Sequence, residues 1–262
     1  MKTRNRLLSS VLAAVLAASG FLAAGTLPAS AAPTAPVNKY VALGDSYAAG
    51  QGGGDYLDAC LQSPNGYPAL LDAVKGINLL RNVSCAQATT GDVNATQLSA
   101  LNRGTTLVTL TVGGNDLNVA GVAAACASQN LPQCEGAIAT AGTLLPAMAA
   151  SLAGTIARVG VAAPKAHVVV TGYPLLFAPS DNPLIAQINV ATMALNQAIQ
   201  GVVAQAQLAR PNAGIEYVDV SAALAGHAIG DVDSWVYFAG PDAFHPTPAG
   251  YQALAVFIKA AL

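Results

Sequence analysis

The chain has 262 residues, 53% of them hydrophobic and only 9% charged, with 11 basic and 13 acidic side chains. That balance leaves no basic face for nucleic acid, and four cysteines and three histidines spread along the sequence lack the tight spacing of a zinc site. The length suits one well-buried α/β domain, and no second linker, repeat or low-complexity block divides it.

Lys2, Arg4 and Arg6 precede an apolar run from Leu7 to Ala24, and Pro28 and Ala29-Ser30-Ala31 follow. A charged start, an apolar segment and a small-x-small site make the pattern of a secretory signal peptide over residues 1–31, cleaved after Ala31. With no cysteine nearby to take a lipid, no stable membrane anchor is expected. Residues 32–38, with Pro33 and Pro36, read as an unstructured lead-in to a folded domain over 39–262. Removing Lys2, Arg4 and Arg6 leaves 8 basic against 13 acidic residues, a net charge near −5 for the mature chain. Export also carries Cys60, Cys85, Cys126 and Cys134 into a compartment that permits disulfides. Four cysteines allow three connectivities, and the sequential pairs Cys60 with Cys85 and Cys126 with Cys134 are the expectation.

Within Tyr40–Gly50 (YVALGDSYAAG), Val41 to Leu43 have the short β-prone pattern of a buried parallel strand and Gly44 permits a sharp turn. Ser46 then opens a helix, where a hydroxyl stands clear of the sheet and its own backbone N–H lies at the positive end of the helix. That is the placement of a nucleophile, although Asp45 or Ser46 could equally act as a helix cap. The glycines of Gly50–Gly54 lack the Lys-Ser/Thr of a P-loop and the spacing of a dinucleotide-binding turn, so a flexible loop at a site mouth is the better reading. A turn at Pro64-Asn65-Gly66 leads to a short helix, Tyr67 to Lys75, and a second strand, Ile77 to Ser84. The small-residue turn Cys85–Gly91, which holds Gln87, precedes a helix from about Asp92 to Leu101.

Leu107 to Val112 reads as the third strand, delivering Gly113-Gly114-Asn115-Asp116, in isolation a plain turn. Residues 135–162 form a long Ala-rich helical region interrupted near Pro146. Lys165–Thr171 is the fourth strand, Leu184–Leu208 a long helix stopped by Pro211, and Ile215–Val220 the fifth strand. In Trp235–Thr247 the aromatics mostly suit packing, with one or two placed to line an acyl pocket. Thr247 as N-cap and Pro248 as first helical residue start a last helix running to Leu262. Just before that cap, the three-residue spacing of Asp242 and His245 lets the carboxylate reach Nδ1, leaving Nε2 to take a proton from a serine.

Strands alternating with helices call for a parallel sheet covered on both faces, whose ligands bind beyond the carboxyl ends of the strands. Ser46, Gln87, Asn115 and the Asp242/His245 loop all fall at such ends. His167 and His227 read as structural or surface residues, and Asp231 and Asp233 as a solvated turn with too few oxygens for calcium.

Gly44-Asp45-Ser46, Gly113-Gly114-Asn115-Asp116 and Asp242-Ala243-Phe244-His245-Pro246 resemble the blocks of the GDSL, or SGNH, hydrolases, and the likeness spans nearly the whole mature chain. It is nearest to the secreted actinobacterial lipase and esterase branch, whose disulfides match the sequential pairing. The resemblance implies a three-layer α/β/α fold with a flavodoxin-like five-stranded parallel sheet in the order 2-1-3-4-5. It implies Ser46 as nucleophile, His245 as general base and acid, and Asp242 as the carboxylate that orients it. An oxyanion would be held by the Ser46 N–H, a second-block backbone N–H and the Asn115 side chain. The family places a glycine at that second donor, where this chain has Gln87, which can serve through its backbone if its φ is negative. The expectation is a secreted, monomeric serine carboxylic ester hydrolase. It would work on small-molecule or lipid esters through an acyl-enzyme, with no metal or cofactor. The alternative is a secreted carbohydrate- or lipid-binding protein of the same fold with weak or no turnover.

Overall fold

Five apolar runs form one parallel sheet in the computed structural model, which describes residues 37–127 and 129–262. The strands are β1 (Asn38–Gly44), β2 (Ile77–Asn82), β3 (Leu107–Thr111), β4 (His167–Thr171) and β5 (Ile215–Val218), in the order β2-β1-β3-β4-β5. Every residue of β3 is buried, as a central strand covered on both faces requires, whereas the edge strand β2 is largely exposed. The expected signal peptide lies outside the described residues. Asn38, assigned from sequence to the lead-in, instead opens β1, its N–H donating to the Gly76 carbonyl at 2.8 Å.

The helices are α1 (Ser46–Ala49), α2 (Tyr67–Asp72), α3 (Thr90–Asp92), α4 (Val119–Ala127), α5 (Leu131–Ala162), α6 (Pro183–Ala209) and α7 (Pro248–Lys259). α2 packs with α7, and α5 packs with α6. Hydroxyl groups meet in pairs within the core: Tyr40 with Thr109 at 2.7 Å, Tyr67 with Thr111 at 2.9 Å, and Thr111 with Thr171 at 2.6 Å. Each buried hydroxyl thereby keeps a partner, without which its burial would be costly.

Several elements depart from the sequence reading. α5 runs unbroken through Pro146. An interior proline costs a helix about 3 kcal/mol, but the second half of α5 buries Met148, Leu152, Ile156 and Val159 on one stripe, and that packing keeps the two halves in line. The helix expected over Asp92–Leu101 is instead the single turn α3, a π-helical turn at Val93–Gln97 and a 3₁₀ turn at Leu98–Ala100. The widened turn aims the buried Gln97 at Gly44, whose N–H and C=O it bonds together, each at 2.8 Å. α4 was not expected, because its run of Val, Ala and Gly has no polar face to give a helical period. The Gly50–Gly53 segment is buried rather than a loose loop. A Cβ on Gly52 would lie 2.3 Å from the Pro246 carbonyl, so this stretch packs directly beneath the histidine loop. Cys60 is bonded to Cys85 and Cys126 to Cys134, the sequential pairing.

Candidate active site

At the end of β1, Gly44 meets Thr111 of β3 so closely that a Cβ would stand 2.1 Å from the Thr111 carbonyl, and its φ of +135° is one that side chains avoid. The Asp45 N–H donates to that same carbonyl at 2.9 Å, which turns the chain out of the sheet. Asp45 caps α1 by accepting the Tyr47 N–H at 3.0 Å, so the capping expected of this stretch is real and belongs to Asp45. Ser46 is left as the first residue of the helix with its hydroxyl free to act.

Its partner comes from the far end of the chain. Residues 235–237 and 244–247 pair back to back through the Tyr237 N–H to the His245 carbonyl (3.1 Å) and the Thr247 N–H to the Trp235 carbonyl (2.8 Å). Thr247 caps α7 and Pro248 begins it, so the loop is anchored on a helix start. His245 Nε2 lies 2.7 Å from Ser46 Oγ. Its Nδ1 lies 2.9 Å from the Ala243 carbonyl. A carbonyl can only accept, so Nδ1 carries the proton and Nε2 presents its lone pair to the serine hydroxyl. Burial holds the imidazole pKa below its ordinary value, with the Ala243 carbonyl and the Asp242 charge opposing. The ring is therefore neutral at pH 7 and able to take a proton.

Asp242 does not take the place expected of it. The His245 N–H donates to the Asp242 main-chain carbonyl at 3.1 Å, and this turn brings the carbonyl of Ala243, not the carboxylate, under Nδ1. The Asp242 carboxylate instead accepts the Tyr56 hydroxyl at 2.6 Å, and that same hydroxyl accepts the Gly52 N–H at 2.8 Å. Two further bonds fix the loop: Tyr47 donates to the Phe244 carbonyl at 2.7 Å and Gln51 Nε2 to the Pro241 carbonyl at 3.0 Å. Tyr47, Gln51 and Tyr56 had no motif to single them out, and only the packing of Gly52 under Pro246 explains why they lie here.

Gln87 stands third in a four-residue turn closed by the Ala88 N–H to the Cys85 carbonyl at 3.1 Å. Its φ is +67°, not the negative value that sequence reasoning set as the condition for its backbone to serve. A turn of this shape requires φ > 0 at its third residue, a conformation that suits a glycine and that Gln87 adopts here. The turn is held from several sides: by Cys60–Cys85, by the Ala86 N–H to the Cys60 carbonyl (3.0 Å), and by Asp116, which accepts the Thr90 N–H at 2.9 Å. Asn115 Nδ2 donates to the Ala88 carbonyl at 3.0 Å, tying the third block to the second. Within the described residues no hydrogen bond takes up the backbone N–H of Ser46 or Gln87. These two donors and Asn115 border the same cavity as Ser46 and His245.

That cavity measures about 1020 Å³. From Ser46 it extends over α4, α5 and α6, and its walls include Leu145, Leu176, Phe177, Ile185, Ile188 and Leu195. Its charged lining groups are confined to the end that holds Asp45 and His245. His167 and His227 lie elsewhere, His167 beside Glu216 at 3.3 Å and His227 stacked on Trp235 with ring centres 3.5 Å apart. Asp231 and Asp233 serve their own loop, accepting the Ala228 N–H and the Trp235 indole N–H. Among the described residues no group of three or more His, Cys, Asp or Glu gathers to hold a metal.

Residues 42–253 match the GDSL-like Lipase/Acylhydrolase family. Lipase 1 of Streptomyces coelicolor is 34% identical over 258 residues, covering 94% of each chain, and a lipase of Streptomyces rimosus is 32% identical over 86% of this chain and 87% of its own. Among solved structures, the extracellular lipase of Streptomyces rimosus superposes with a TM-score of 0.79 at 31% identity, and phospholipase A1 of Streptomyces albidoflavus with 0.79 at 33%. Each covers 86% of this chain with the whole of its own.

Proposed function

The chain belongs to the GDSL-like lipase/acylhydrolase family and is a carboxylic ester hydrolase, and from that premise we propose that it works through a Ser46–His245 dyad on esters of long acyl chains. The observation that carries this reading is the 2.7 Å approach of Nε2 to Ser46 Oγ, with Nδ1 already committed to a carbonyl, at the mouth of an apolar cavity. Ser46 Oγ attacks the ester carbonyl as His245 takes its proton. The oxyanion faces the N–H groups of Ser46 and Gln87 and the Asn115 amide, donors fixed before the charge develops. The imidazolium then gives its proton to the departing alcohol, leaving an acyl group on Ser46. Water enters, loses a proton to His245 and adds to the acyl carbon, and collapse returns the proton to Ser46 as the acid leaves.

A cavity of about 1020 Å³ walled by leucine, isoleucine and phenylalanine favours an extended hydrocarbon chain, which would bury its methylenes at about 0.8 kcal/mol each. An acetyl group would leave most of that wall uncovered. The Streptomyces neighbours, described as a lipase and a phospholipase A1, act in the same direction. We also infer export of the mature chain from Ala32: the leader pattern, two disulfides and an extracellular lipase as neighbour support it. The test is hydrolysis of p-nitrophenyl esters from acetate to palmitate by the mature protein beside Ser46→Ala. The expected result is kcat/KM rising with chain length in the native enzyme and no turnover in the variant. A folded Ser46→Ala enzyme that still hydrolyses esters removes the dyad reading.

A further inference from the structure

Beneath the dyad lies a carboxylate that the reaction does not use. Asp45 is 1% exposed. Its neighbours from every packed element are phenols or another acid: Tyr47 on its own helix, Tyr67 from α2, Tyr251 from α7, Tyr173 after β4 and Asp116 after β3. His245 stands behind the Tyr47 ring, with centres 5.2 Å apart. Among the described residues no cation acts on Asp45; it is held by donors alone. The Tyr173 hydroxyl donates to one carboxylate oxygen, the Tyr47 N–H to the other, and the Ala48 N–H assists. Tyr173 in turn accepts the Gly114 N–H at 3.0 Å, and its ring stands edge-on to Tyr47, with centres 5.2 Å apart.

The chain of bonds therefore runs from Gly114 through Tyr173 to Asp45. Asp45 precedes the nucleophile and Gly114 precedes Asn115. We propose that Asp45 and Tyr173 are positioning residues that hold the nucleophile turn and the Asn115 turn in register, and that they do so while Asp45 is ionised. The direction of the bonds gives the reason. A carboxylate forces the phenol to donate to it, which frees the phenol oxygen to accept from Gly114. A protonated Asp45 has an O–H of its own to place on that oxygen, in competition with Gly114.

Burial raises the Asp45 pKa to about 7, the Tyr173 hydroxyl and the Tyr47 N–H pulling against it. The switch between the two bonding patterns thus falls near neutrality, above the range in which His245 titrates. This inference rests on the dyad reading, and the experiment separates the two. kcat and KM are measured from pH 5 to 9 with p-nitrophenyl butyrate for the native enzyme, Tyr173→Phe, Asp45→Asn and Ser46→Ala. In the native enzyme kcat/KM falls on the acid side of pH 7. Tyr173→Phe keeps the ring but removes the hydroxyl through which Asp45 reaches Gly114, so kcat falls about tenfold with KM little changed and the limb near pH 7 is lost, leaving that of His245. Asp45→Asn has nothing to protonate, and its limb moves below 6.5, where His245 remains.

The two variants lose the same limb, one of them without touching the carboxylate, which a general loss of packing would not do. Acid limbs at the native position in both variants overturn the proposal while an inactive Ser46→Ala leaves the dyad standing. Activity in Ser46→Ala removes both. Should Asp45→Asn not fold, the loss of that limb in Tyr173→Phe decides alone.

Discussion

Gln87 holds a left-handed backbone at φ +67°, which costs a residue with a Cβ about 1–2 kcal/mol relative to glycine. Replacing it by glycine relieves that strain and gives back about 0.4–1 kcal/mol through the freer unfolded chain. Gln87→Gly is expected to keep ester turnover within about threefold, with a thermal midpoint equal to or slightly above the native one, because the backbone donor is unchanged. A tenfold loss in a folded Gln87→Gly enzyme would make the exposed amide side chain a participant in the chemistry. Proline at this position cannot isolate the lost N–H, since its φ near −65° is incompatible with the turn. Asp242 supplies a second expectation. The bond that orients His245 comes from Ala243, so Asp242→Asn and Tyr56→Phe should each cost less than about tenfold in kcat, against about a thousandfold or more for His245→Ala. Assays of purified variants decide it, and a loss at Asp242→Asn equal to that at His245→Ala would give the carboxylate back its expected role.

Among the elements, the two disulfides tie down different parts of the cavity wall. Their sequence separations, 25 for Cys60–Cys85 and 8 for Cys126–Cys134, correspond to roughly 3.5 and 2.5 kcal/mol of chain-entropy stabilisation. The first clamps the strained turn of Gln87, and such a conformation persists only where its surroundings over-determine it. The second joins α4 to the start of α5, which wall the outer part of the cavity. Paired Cys60→Ser and Cys85→Ser substitutions should therefore lower turnover of every ester. Paired Cys126→Ser and Cys134→Ser should spare short esters and flatten the preference for long ones. A chain-length series on both double variants tests this, and identical profiles would sever the link between each bridge and its function. The same elements show what sequence can and cannot reveal. The strands and the strand-end positions of Ser46, Asn115 and His245 were legible, because buried runs and turn residues are local signals, whereas the strand order followed only from the family resemblance. α4, the unbroken α5 and the acceptor on Nδ1 were not, since each depends on contacts across the fold. An Asp three residues from a His reads as a pair in one dimension, and here the loop turns that Asp toward Tyr56.

For the whole molecule, two buried groups set opposing trends of stability with pH. Asp45 has its folded pKa raised from 3.8 to about 7, so its contribution is fully present below about 3.8 and is lost as pH rises through about 7. His245 has its folded pKa lowered from 6.5, so the unfolded chain takes up the proton first, and stability is lost as pH falls below 6.5. The expected result is that Asp45→Asn gains unfolding free energy relative to the native enzyme between pH 4 and 8. Urea titrations at both ends of that range measure it, and a difference that does not vary with pH would show that Asp45 ionises as freely in the fold as out of it. The native chain thus gives up stability at neutral pH at the turn that carries Ser46, a trade that active sites commonly make.

The carbonyl of Ala243 that orients His245 also bears on how this enzyme tolerates mutation. A carboxylate partner is one codon, and one nucleotide change can erase it. A main-chain carbonyl is carried by all twenty amino acids, so no substitution at position 243 deletes the group. Only a change in the path of the loop can displace it, and that path is held by Tyr47, Gln51 and the packing of Gly52. The genetic information for aiming the histidine thus lies some two hundred residues upstream, in the turn that follows Ser46. In a library covering every position, Ala243 and Asp242 should accept many replacements, while Gly52 accepts almost none.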